Sequence, residues 1–436
     1  MPAARPWCSP LTIGLAALLA VHAVAIPLAL RYVLSTPRED TIVGQIDLLK
    51  RREQREDSWR PMRAAREYVA QHPGDDIYEE IFFRRRIKFQ YPPTALLAFD
   101  DLSRRTLNAV SWCAFWITVA MTVVTLRAGL LEARSPGLRP ASTVDLAAAL
   151  ACAAGLCATF YPLLKGYTLG QIQVWIDALV AVAIWAWCTG RRLVTGMALG
   201  VACLIKPPLA LIAAWALVRR QWRLLGGFAV VVALGLALSL LIYGVTSHVG
   251  YARVLAFIGA RGEAYYPNQS FNGLLNRWLA NGGNLEFRSF AFSPPNRLVW
   301  AGATLAGGAL LALALALPVF ARGVDERIDC AIVLVTATIV SPIAWEHHYG
   351  IVAPVLAMLV PAVLERAASP RRTAVALATA FLLIGQYYAV AQRLAATRFN
   401  PLQSYALFGA LLLLAIAYRA ALRQRERSPH PDARPC

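Results

Sequence analysis

Apolar runs of about 18 residues or more, long enough to cross the hydrocarbon core of a bilayer, recur from near residue 11 to near residue 421. A backbone in lipid must satisfy its own hydrogen bonds, so runs of this kind fold as helices. Hydrophobic residues make up 58% of the 436 residues and charged ones only 16%, more apolar side chain than a water-soluble core can cover. The net charge of +18 would suit nucleic acid in a soluble protein. Here the excess sits in short segments beside the apolar runs, where the bias of cytoplasmic loops toward Lys and Arg accounts for it, and nucleic-acid binding is set aside. The eight cysteines form no close CxxC or Cys/His cluster. They read as small packing residues rather than zinc ligands or disulfide partners.

The runs predict an all-α polytopic membrane protein of a single domain, with about ten full spans plus one broken-helix pair. The spans fall near 11–34, 106–127, 145–163, 168–187, 224–245, 297–319, 328–345, 349–364, 373–391 and 403–421. The broken pair is expected over 193–218, where Lys206-Pro207-Pro208 interrupts an apolar stretch flanked on both sides by arginines. Two short helices meeting at the prolines would return both basic ends to the cytoplasm; one long tilted helix is the alternative. With an uncleaved first helix and its start inside, segments 128–144, 321–329, 364–372 and the tail are cytoplasmic, and all but the balanced 321–329 are basic. Two long polar segments, 35–105 and 246–296, then lie outside.

Those outer segments carry the candidate chemistry. Within 35–105 an amphipathic helix is expected from Pro61 to Gln71, stopped by His72-Pro73-Gly74. The stretch FQYPPTALLAF, 89–99, reads as a segment at the membrane interface. Asp57 stands just before the helix. Asp75 and Asp76 share the loop, and each of these carboxylates also suits a cap or a turn. Lys206 lies in mid-run, where an ammonium is costly and faces protein, water or an anion. It either contacts a lipid phosphate or reaches the interface on its own stem. In 261–278, tyrosines, amides and arginines suit a ligand rich in hydroxyls and phosphate. Asn268 and Arg277 are the candidates there, Arg277 as a fork for phosphate or as an interfacial arginine. Glu346, His347 and His348 form a third polar insert, for substrate or for a buried network; adjacent side chains diverge, which weakens a metal site. Gln171, in Gly170-Gln171-Ile172-Gln173, presents an amide for a head group or for helix contacts. No GxGxxG or Walker pattern for a nucleotide is present.

Several pieces recur in order through nearly the whole chain: Asp57 with Ala64-Ala65, Asp76-Ile77-Tyr78, Phe89-Gln90-Tyr91-Pro92-Pro93, Gly170-Gln171-Ile172-Gln173, Lys206-Pro207, Asn268-Gln269-Ser270 with Arg277, and Ser341-Pro342 followed by Trp345-Glu346-His347-His348-Tyr349. In these the sequence resembles glycosyltransferase family 87, bacterial membrane glycosyltransferases of the GT-C fold that use polyprenyl-phosphate sugars, best known for alpha-(1,2)-mannosyltransferases. The resemblance implies a polyprenyl-phosphate-mannose donor, a glycolipid or glycan acceptor, membrane lipids as surroundings, and a site on the outer face of a bacterial plasma membrane. It implies that Asp57 is the catalytic base, and that Gln171, Lys206, Asn268, Arg277, Glu346, His347 and His348 bind substrate. Lys206, Arg277 or His348 would then stabilise the phosphate leaving group. The chain departs from the family in the charged stretch DLLKRREQRED that leads into Asp57 and in the SWRP after it, which keeps Asp47 as a rival base. No metal ligands are assigned, and a divalent ion stays open because GT-C relatives differ in metal dependence. A transporter or flippase of lipid-linked sugars is the rival class, and arabinofuranose and glucose are the rival sugars. The long outer loop and the lack of internal duplication favour an enzyme.

Overall fold

The computed structural model describes residues 8–99, 102–321 and 323–427; the start of the chain and the end of its basic tail, expected in the cytoplasm, lie outside the described residues. Among the described residues the chain is helical, without a sheet, and carries one isolated bridge between Asn268 and Trp345. Serines open several helices as the local sequence demands. The Ser9, Ser103, Ser142 and Ser270 hydroxyls accept from the amides of Thr12, Thr106, Asp145 and Gly273, satisfying N–H groups that the first turn leaves free.

Among the described residues six helices are long and apolar enough to cross a membrane: Pro10–Val33, Arg104–Glu132, Trp222–Arg261, Arg297–Phe320, Glu346–Arg366 and Asn400–Arg423. A seventh span arises if Thr143–Ala158 and Tyr161–Leu169, bent by 46°, count as one. The expectation of ten full spans is therefore wrong. The run at 168–187 folds as Gln173–Cys188, with 16 residues; that at 328–345 folds as Glu326–Ile339, with 14; that at 373–391 folds as Pro370–Gly385, with 16. At the helical rise these are about 21–24 Å long, short of the ~30 Å hydrocarbon core. Protein covers much of the first two instead, and every residue from Ile328 to Ile339 is buried. A helix that is apolar all round can be covered by lipid or by neighbours, and hydropathy does not tell the two apart. The long helices divide in the same way. Only 17% of the apolar window of Pro10–Val33, Trp222–Arg261 and Arg297–Phe320 is buried, against 89% for Glu346–Arg366, so the first three form an outer ring and the last is central.

The chain leaves helical geometry at Lys206 (φ −134°, ψ 89°), between Arg192–Ile205 and Pro207–Val218; the two prolines have no N–H to continue the ladder. Trp222–Arg261 is two helices joined at Gly244 (φ 70°, ψ 167°), so helix runs on through residues expected in the second outer loop. Phe89, Ala95 and Leu96, expected at the lipid interface, are fully buried in protein.

The Arg104–Glu132 helix relates the two ends of the molecule. Near its last turn Glu132 pairs with Arg327 at 3.7 Å, Asp325 pairs with Arg366 at 2.7 Å, and Glu365 accepts from the Arg134 amide. Segments 128–144, 321–329 and 364–372 thus meet at one end. Arg104, at the start of the same 29-residue helix and roughly 43 Å away, lines a cavity at the other end.

Candidate active site

The cavity has a volume of about 890 Å³, large enough for a sugar with its linked phosphate. It is walled by the segment 40–61, the stretch 86–91, Arg104, the helix Tyr161–Leu169 with Gln171, and the loops that carry Tyr265, Phe287, Glu346 and Tyr387.

Asp57 is placed by main-chain pairing. The amides of Arg55, Asp57 and Ser58 donate to the carbonyls of Thr168, Leu169 and Gly170 at 2.8, 3.0 and 3.2 Å. The approach is close enough to require glycine: a Cβ on Gly170, which has φ +68°, would lie 1.9 Å from the Arg55 carbonyl oxygen. Side chains complete the hold. The Ser58 hydroxyl donates to Gln171 Oε1 at 2.8 Å and accepts from the Ile172 amide at 3.0 Å; the Tyr91 hydroxyl lies 2.7 Å from Ser58. Gln171 Nε2 donates to Asp57 Oδ2 at 3.2 Å. Trp59, fully buried, stacks on Phe99 and touches Trp175, anchoring the start of the Trp59–Gln71 helix.

The Asp57 carboxylate opens into the cavity, yet enough protein surrounds it that burial raises its pKa above the usual carboxylate value; Gln171, Arg55, Lys165 and Lys88 oppose that rise. Its neighbour Glu56 is fully engaged, by Arg63 at 3.1 Å, Arg60 at 3.6 Å and Arg104 at 3.7 Å. Asp57 has no such ion pair among the described residues, which leaves its lone pairs free to accept a proton.

Of the residues singled out from the sequence, Asp57, Gln171, Glu346 and His347 line the cavity. Glu346 accepts from the Tyr405 hydroxyl at 2.8 Å, and the His347 and His348 rings meet edge to face. Lys206, Asn268, Arg277 and His348 are not among the lining residues. Lys206 Nζ donates to Gln173 Oε1 at 3.0 Å, and Gln173 Nε2 donates to Asp177 at 2.8 Å, so the ammonium ties a broken helix to its neighbour. Asn268 bridges two loops, donating to the Glu263 and Pro342 carbonyls and accepting from the Ala344 amide. Arg277, wholly buried, donates to the carbonyls of Ala264, Tyr265 and Asn268 and to the Ser404 hydroxyl.

The rival acids are occupied elsewhere. Asp47 pairs with Arg38 at 2.5 Å, Asp75 accepts from the Tyr68 hydroxyl, and Asp76 accepts from the Tyr78 and Glu79 amides while pairing with Arg253. The structure adds residues that sequence reasoning missed. Asp40, Lys88, Lys165 and Tyr387 line the cavity, as do Tyr265 and Tyr266, the tyrosines already noted within 261–278; Lys88 pairs there with the buried Glu263. Lys165 was findable, because a lysine beside apolar runs marks a functional position by default. Among the described residues no three His, Cys, Asp or Glu side chains are grouped to hold a metal ion.

Comparison with known proteins places the chain. It is 28% identical over 295 residues to a protein of Mycobacterium tuberculosis (strain CDC 1551 / Oshkosh) described as a polyprenol-phosphate-mannose-dependent alpha-(1-2)-phosphatidylinositol pentamannoside mannosyltransferase. That match takes in 66% of this chain and 63% of the relative, so somewhat less than two thirds of the relative's length is spanned. Among solved structures, ArnT from Cupriavidus metallidurans bound to undecaprenyl phosphate overlaps 93% of this chain and 79% of its own, with 16% identity and a TM-score of 0.34. The same protein in the apo state gives 88%, 76%, 16% and 0.33. The sequence profile of glycosyltransferase family 87 matches residues 89–344, more than half of the chain, and the chain belongs to that family.

Proposed function

We propose that this protein transfers a sugar, mannose, from a polyprenyl-phosphate donor to a hydroxyl of a glycolipid or polysaccharide acceptor at the outer face of a bacterial plasma membrane, with Asp57 as the general base. Family membership supports glycosyl transfer, and the donor follows the description of the mycobacterial relative. The observation that carries the reading is the Asp57 carboxylate, unpaired beside a fully paired Glu56, held by Gln171 and open to a cavity that also holds cations. The acceptor oxygen bonds to the anomeric carbon as its proton passes to Asp57. The bond from that carbon to the phosphate oxygen breaks, and its electron pair leaves with the polyprenyl phosphate. One base and a phosphate leaving group suit a single displacement with inversion. Raising the pKa of the base by burial increases its strength toward a hydroxyl. The segregation of basic segments at the far end from the cavity supports the outward orientation.

A reconstituted assay with radiolabelled polyprenyl-phosphate mannose and a membrane acceptor fraction tests this. Wild type transfers label, and Asp57→Asn, folded by size-exclusion profile, loses about 10²–10⁴-fold of the rate. Transfer retained in Asp57→Asn rejects the base. A wild type that transfers from none of several polyprenyl-phosphate sugars rejects the reaction.

A further inference from the structure

Among the described residues six cations line the cavity: three are paired, and two, Arg55 and Arg86, are exposed. Arg60 and Arg104 share Glu56. Lys88 is paired with Glu263 and lies 5.1 and 4.9 Å from the Phe292 and Trp345 ring centroids. Arg55 and Arg86 belong to exposed loop segments.

Lys165 is different. It sits on the Tyr161–Leu169 helix, the second limb of the bent apolar pair, among neighbours that are themselves buried: Leu163, Leu164, Gly166 and Tyr167. Among the described residues no carboxylate lies within 4 Å of its ammonium and no acceptor is hydrogen-bonded to it; its one close partner is the Tyr161 ring, 5.9 Å away. The charges that act on it are those of Glu346, Asp40, Arg55 and Asp57. A lysine on a largely buried apolar helix is costly unless an anion or water meets it. Asp40, Asp57 and Glu346 line the cavity with it and none closes on it, which leaves the ammonium open to that cavity.

Resting on the transfer reaction proposed above, we infer that Lys165 binds the phosphate of the lipid donor and holds the leaving oxygen within reach of the site where Asp57 takes the acceptor's proton. An ammonium serves this as a compact point charge with three donors. In the transition state it meets the negative charge that develops as the bond from carbon to the phosphate oxygen lengthens. The phosphate completes the coordination that the protein leaves open.

The test is calorimetric titration of farnesyl phosphate, farnesol and inorganic phosphate into detergent-solubilised wild type, Lys165→Met and Lys165→Arg. Methionine keeps the apolar stem, so unchanged farnesol binding shows that the fold survives. Wild type prefers farnesyl phosphate to farnesol; Lys165→Met loses that preference by tenfold or more; Lys165→Arg restores most of it. A preference that survives in Lys165→Met overturns the assignment of Lys165 and leaves the donor reading standing. A wild type that does not distinguish the phosphate from the alcohol overturns the donor reading, and this inference with it. Inorganic phosphate bound as tightly as farnesyl phosphate overturns the lipid part of the assignment.

Discussion

Gln171 reaches the Asp57 carboxylate from the residue immediately after the left-handed turn at Gly170, with Nε2 3.2 Å from Oδ2. Its other amide atom accepts from Ser58, so one side chain both orients the carboxylate and reads the position of the segment that bears it. Gln171→Ala removes the donor. Asp57 then loses a bond that favours its ionised form, and the acidic limb of the pH–rate profile moves to higher pH. We expect kcat to fall by about tenfold or more with a smaller change in KM, checked by transfer rates across pH.

Asp57 makes a linked prediction about stability. Its folded pKa is raised, chiefly by burial, so the folded state binds its proton more tightly than the unfolded chain does. Stability from this group is present at low pH and is lost as pH rises through the ordinary carboxylate value toward the raised one. At neutral pH the ionised Asp57 therefore costs stability. Asp57→Asn should melt no lower than wild type, and slightly higher, at pH 7, with the difference vanishing in acid. A thermal melt series from pH 4 to pH 8 would show it. A large fall in Tm for the variant would mean that the carboxylate supports the fold.

Gly170→Ala should be severe. A left-handed backbone costs a side-chain-bearing residue about 1–2 kcal/mol, and the new Cβ would meet a main-chain oxygen that cannot move without Asp57. Both a lower Tm and loss of transfer are expected. Gly190→Ala, also at positive φ but with open space around it, is the control, and should lose stability while keeping most of its activity.

Arg277 separates a structural role from a ligand role. Its guanidinium satisfies three carbonyls and a hydroxyl and lies away from the cavity. Arg277→Ala strands those acceptors and should cost about 3 kcal/mol or more, seen as a reduced folded yield. A phosphate contact would instead raise KM in a protein of normal stability.

Much of the candidate site was legible from local chemistry. An acid before an amphipathic helix and an amide after a glycine turn are short-range patterns, and Asp57 and Gln171 do meet. Glu346 and His347 stood out as polar residues between apolar runs, and they line the cavity. Arg277, Asn268 and Lys206 stood out for the same reason but are spent on loops and helix ends. A buried polar side chain looks alike in sequence whether its partner is a carbonyl or a ligand. Lys165 went unread because the spans near it were drawn at 145–163 and 168–187, which left it in a gap. That misplacement has the same root as the excess of spans. The period and the length of Glu326–Ile339 are set by neighbours on every side, and a hydropathy window cannot report who those neighbours are.

The main-chain clasp between 55–58 and 168–170 separates the register of the acid from the length of the chain that precedes it. Once three amides have found three carbonyls, Asp57 is fixed along the cavity wall by its own segment. The charges that precede Arg55 can therefore vary without moving the acid. The clasped tetrapeptide, together with the glycine that admits it, cannot.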